Sequence, residues 1–155
     1  MGLAGGSPVA RAEFAGRLRS ARTQIEEDAL ARIWEIVRPA ADADSDCAAR
    51  LRLTLAAALE YVATATERGE SPAPSPPPAL AEEIRLAARH GVDLVTMFRC
   101  CNALHAALVD FLLAEIVDGQ LAGERLGPLL HALYLPGDRL LAEVSLACSA
   151  EGAYA

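Results

Sequence analysis

Residues 94–117 read LVTMFRCCNALHAALVDFLLAEIV, and this stretch decides the fold. Leu94, Met97, Phe98, Cys101, Leu104, Leu108, Phe111, Leu112 and Ile116 follow the i, i+3, i+4 spacing of an α-helix and spread around most of its circumference. Asp93 stands where an N-cap belongs, because its carboxylate can accept a free N–H of the first turn. Asp118-Gly119 closes the segment. A helix apolar on most sides is expected at the centre of a bundle. Its densest part, residues 103–117, is shorter than the roughly 18 apolar residues that a bilayer requires. It also carries His105, Asp110 and Glu115. It therefore reads as a buried helix of a soluble protein, with no membrane partner.

Upstream, Gly91 ends a shorter helix that starts inside the run ESPAPSPPP, residues 70–78. Proline suits a first helical turn, and five prolines in nine residues make a stiff, extended connection. Before that run, Leu51, Leu55, Leu59 and Val62 mark a helix ending near Gly69, with Ser45 or Asp46 as its cap. Phe14, Leu18, Ile25, Ile33, Trp34 and Val37 predict one long first helix, from about Pro8 or Ala10 to Arg38, stopped by Pro39. Downstream, two apolar groups lie between Ala122 and Ser149. Pro136-Gly137 separates them, so the last helix is expected to break there, with Asp138 capping its second half. Residues 1–9 and 151–155 read as flexible tails around a single domain, 10–150.

Composition agrees. The 155 residues include 33 Ala and 23 Leu against three Tyr and three Phe, which favours helix and excludes an all-β fold. The expectation is all-α, a bundle of about five helices. All 14 basic residues are Arg, and the net charge is −7. A phosphate backbone needs a basic footprint, so this domain is not expected to touch nucleic acid. Four cysteines without a CxxC pair, and no signal peptide, point to a reduced cytoplasmic setting.

The candidate chemistry is sparse. His105 falls on the apolar seam of the 94–117 helix, where a histidine either bonds within the core or lines a ligand pocket. Phe98, Arg99, Cys101, His105 and Trp34 are the candidate pocket residues, and Pro136 and Gly137 the candidate hinge. Arg99 either snorkels to the surface or pairs with a carboxylate such as Glu60, or Asp110 of a neighbouring subunit. Glu-x-x-His and HExxH are both absent, few aromatics accompany His105, and no cofactor is expected. The alternative from another class is a metal-dependent helical-bundle enzyme using His90, His105 and His131. A ligand-free protein–protein scaffold is a third reading.

Three pieces carry a family likeness: LEYVATATERGE at 59–70, AARHGVDLVTMFR at 87–99 and HAALVDFL at 105–112. Together they resemble the N-terminal domain of actinobacterial PucR-type (CdaR-like) transcriptional regulators. That domain is similar to the N-terminal domain of the RsbRD stressosome co-antagonists. The likeness covers roughly Ala29 to Ser149. It implies a non-catalytic signal-input or dimerisation module, with a globin-like arrangement without haem as a variant and a homodimer and a small-molecule effector as partners. It also implies that DNA binding is located outside this chain. Cys101 stands where the family often has Tyr, and Leu104 where it often has Gly.

Overall fold

The computed structural model describes residues 7–41 and 46–152. They form six helices and no strand: α1 (Pro8–Ser20), α2 (Arg22–Ala41), α3 (Asp46–Arg68), α4 (Pro78–Arg89), α5 (Leu94–Val117) and α6 (Leu126–Glu151), with a short 3-10 turn at Gly123–Arg125 before α6. The chain is an all-α bundle, as the composition predicts. The Ser45 cap lies outside the described residues.

The predicted first helix is two. Ser7 starts α1 by accepting the Ala10 N–H at 3.2 Å. The backbone then leaves helical geometry at Ala21, with φ −97° and ψ 13°, before α2 resumes. Phe14, Leu18, Ile25, Ala29 and Ile33 are all buried and keep one helical phase, so periodicity alone shows no joint. Packing supplies the reason. α1 lies on α3, whereas α2 lies mainly on α5, and a straight rod cannot do both. Helix α2 also runs past Pro39, because a proline in a last turn removes only one bond from an end that is already frayed.

The expected centre also shifts. Helix α3 packs against α1, α2, α4 and α6, and buries Leu55, Leu59, Tyr61, Val62 and Thr66. Helix α5 lies between α2 and α6 with an outer face in solvent, where Val95, Leu113 and Val117 are exposed. Among the described residues it is the one helix long and apolar enough, by length and composition, to cross a membrane. Here Asp110 and Glu115 tie it into the bundle through ion pairs to Arg32 of α2 and Arg17 of α1.

Helix α6 does not break at Pro136. It is continuous over its 26 residues. Pro136 has no N–H to give the Ala132 carbonyl, which costs the helix one internal bond. Ala132, Leu133, Pro136 and Leu140 are all buried, and their packing against the rest of the bundle holds the two halves in line. Asp138 is therefore an exposed mid-helix residue and caps nothing.

The C-terminal end of α3 is sealed. Gly69 takes φ +63°, and the buried Arg11 of α1 donates from Nε to the Glu67 carbonyl at 3.3 Å and from a terminal nitrogen to the Arg68 carbonyl at 3.5 Å. A guanidinium on the last carbonyls of a helix also meets the negative end of its dipole. The proline run is fixed in place too. The Tyr61 hydroxyl donates to the Pro74 carbonyl at 2.8 Å, and Arg139 of α6 donates to Ser75 at 2.9 Å. Burial pushes the Tyr61 phenol up to about 12.

Candidate functional site: a cleft between α5 and α6

Helices α5 and α6 run antiparallel. Met97 meets Cys148 at one end of their contact, with the sulfurs 3.8 Å apart, and His105 meets Tyr134 further along. Around this second point the helices leave a half-open cleft of about 60 Å³. Its floor is apolar: Val62 of α3, Leu104 and Leu108 of α5, and Leu133, Leu140 and Leu141 of α6. The polar groups are Cys101, Asn102 and His105 from α5, and Tyr134 and Asp138 from α6.

The i, i+4 rule builds this wall on each side. Cys101, Leu104, His105 and Leu108 share one α5 face, and Leu133, Tyr134, Gly137, Asp138, Leu140 and Leu141 share one α6 face. Gly137 makes the room. A Cβ added there would lie 3.6 Å from His105 Nδ1, so any larger side chain would enter the space the imidazole uses. The His105 and Tyr134 rings sit 5.0 Å apart, tilted by 58°, in aromatic contact.

The electrostatics favour a neutral His105. Burial lowers its pKa below the ordinary histidine value, and the Asp138 charge opposes this only in part. The thiols are silent as nucleophiles. Burial pushes Cys101 up to about 12 and Cys100 up to about 11, so both stay protonated near neutral pH. The lining thus offers packing, hydrogen bonding and one carboxylate, and brings no activated nucleophile.

Of the residues singled out from sequence, the structure brings His105, Cys101 and Gly137 together in the cleft. Pro136 is buried one position earlier. Phe98 packs instead with Met97, Val144 and Cys148 in a smaller apolar cluster under α4. Trp34 is a half-buried residue of α2 outside the lining, and Arg99 is exposed on α5. The carboxylates considered for Arg99 are engaged elsewhere: Glu60 with Arg19, and Asp110 with Arg32. The three histidines do not converge. His90 caps the exposed end of α4 and His131 is exposed on α6, while His105 faces the cleft. Among the described residues no three His, Cys, Asp or Glu side chains gather into a metal site. Tyr134, Asp138 and Asn102 were missing from the sequence reading. The i, i+4 pair Tyr134/Asp138 shows only once α6 is known to be continuous.

No curated protein and no solved structure matches the chain. A family model does, that of the RsbT co-antagonist protein rsbRD N-terminal domain, over residues 23–155. That span runs from the second residue of α2 to the end of the chain and includes both walls of the cleft. The protein therefore belongs to the RsbRD N-terminal domain family, a family of regulatory domains.

Proposed function

We propose that this domain is the input module of a signalling protein, and that it senses a small molecule in the α5–α6 cleft. The cleft itself carries the reading. It is an apolar slot with a few convergent polar groups, it borders α6, which carries Pro136 within its continuous run, and no catalytic constellation accompanies it among the described residues. An occupant that contacts Leu133, Gly137 and Leu141 touches α6 on both sides of Pro136. The missing bond at Ala132 makes that point the softest in the helix, so ligand contact there biases the packing of residues 137–151.

The family likeness supports a regulatory role, and the PucR-type resemblance extends it to transcription. The charge of −7 supports a reading in which any DNA contact belongs to another region or partner. The outer face of α5, with Val95, Leu113 and Val117 in solvent, supports a homodimer as the carrier of the signal. The test is a fragment screen by NMR together with sedimentation over a wide concentration range. Saturable shifts at His105, Leu133 and Leu141, and a dimer lost in Val117→Asp, are the expected results. A cleft that takes up no fragment would overturn the sensing role, and a monomer at every concentration would overturn the dimer.

A further inference from the structure

We infer that the occupant of the cleft is a short organic ammonium, with its alkyl end among Leu104, Leu133 and Leu140 and its cationic head at the rim between the Asp138 carboxylate and the Tyr134 ring. This rests on reading the cleft as the input site.

Size sets the first limit. Benzene fits an engineered cavity of about 150 Å³, so about 60 Å³ encloses only roughly two or three non-hydrogen atoms, the alkyl end of a short ligand. The half-open form lets the polar end of such a molecule stay at the mouth. The apolar floor selects an alkyl tail over a sugar or a polyol, whose hydroxyls would lose their water there without replacement.

The rim sets the charge. Its groups are a carboxylate, an aromatic face, a neutral imidazole and the Asn102 amide, and no Arg or Lys belongs to the lining. The neighbouring Arg139 is turned away to Ser75 and Glu143, at 2.9 and 3.2 Å. Asp138 makes no hydrogen bond or ion pair among the described residues. An anion entering here meets a negative charge with nothing to offset it. A neutral alcohol gains a single hydrogen bond. A cation gains the Asp138 charge and the Tyr134 π-face together, and the uncharged His105 beside them does not repel it. The overall charge of −7 raises the local concentration of cations further.

The test uses the whole chain and three probes of similar size at matched ionic strength: n-butylammonium, n-butanol and butyrate. Methyl and amide NMR signals of Leu104, Leu133 and Leu140 report binding. Butylammonium is expected to bind saturably and more tightly than butanol, with butyrate silent. Asp138→Asn, an exposed change, is expected to weaken butylammonium about fivefold and to leave butanol unaltered. Tyr134→Leu should also weaken the ammonium selectively. Butanol binding as tightly as butylammonium, or Asp138→Asn without effect, overturns the ammonium assignment and leaves the cleft standing as a ligand site. Silence from all three probes overturns the assignment and the input-site reading alike.

Discussion

Two glycines of this bundle face nitrogen-bearing side chains of other helices, and they do opposite things. At Gly69 the backbone is left-handed, and a Cβ would come within 2.3 Å of Arg11 Nε. The space is already full, and the guanidinium in it closes the end of α3. At Gly137 the backbone is helical, and a Cβ would stand 3.6 Å from His105 Nδ1, an ordinary contact. The space there is open. The same residue type therefore marks a closed structural joint in one place and a vacant slot in the other. The difference lies in backbone sign and clearance, neither of which a sequence displays.

The comparison is sharpest under one substitution. Gly69→Ala must adopt a disfavoured φ and push Arg11 off two carbonyls, so it is expected to lower stability by about 3 kcal/mol, read as a fall in denaturant midpoint. Arg11→Ala keeps the backbone unstrained and strands the Glu67 and Arg68 carbonyls. A loss of about 2 kcal/mol is expected from the same measurement, and equal losses in the two variants would show that φ at Gly69 is immaterial. Gly137→Ala should have the opposite sign. An alanine in a helix interior gains about 0.5–1 kcal/mol over glycine, and its methyl finds room beside His105. Destabilisation at this site would erase the contrast between the two glycines. That variant should also narrow the cleft and weaken any ligand in it.

The smallest expected effect is a pH dependence. The folded-state pKa of His105 is below its unfolded value, so the neutral form is the one that the fold favours. Its contribution is complete above the ordinary histidine pKa and is lost as the pH falls through the folded value. The groups facing it are Asp138 and Tyr134 on α6 and Cys101 on its own helix, and Asp138 opposes the shift. Thermal melts from pH 7 down to pH 5 should show a steeper decline in the wild type than in His105→Gln. Parallel curves would refute the assignment of this slope to His105.

The helical class, the caps at Gly69, Gly91 and Asp93 and the apolar run of α5 were legible in the sequence, since each rests on neighbours within one or two turns. The joint at Ala21 was not, because the apolar phase runs through it and only the different partners of α1 and α2 require a bend. Pro136 misled for a related reason. Local chemistry predicts a break, but the buried flanks at Leu133 and Leu140 hold the helix straight through. His105 stood out as a polar residue on an apolar seam. Its partners Tyr134 and Asp138 come from a helix whose face depends on that continuity, so half of the cleft was out of reach.

The family likeness begins at residue 23, and α1 ends at Ser20. A boundary drawn from the likeness alone would therefore discard α1. Phe14 is completely buried in this helix and lies parallel to Phe111 of α5, with 6.4 Å between ring centres. Arg11 would leave with it, and so would the two carbonyl bonds that finish α3. The physical unit includes α1, one helix before the recognisable span. A chain shortened to residue 23 would open an apolar trench along α3 and α5 and invite aggregation that has nothing to do with signalling.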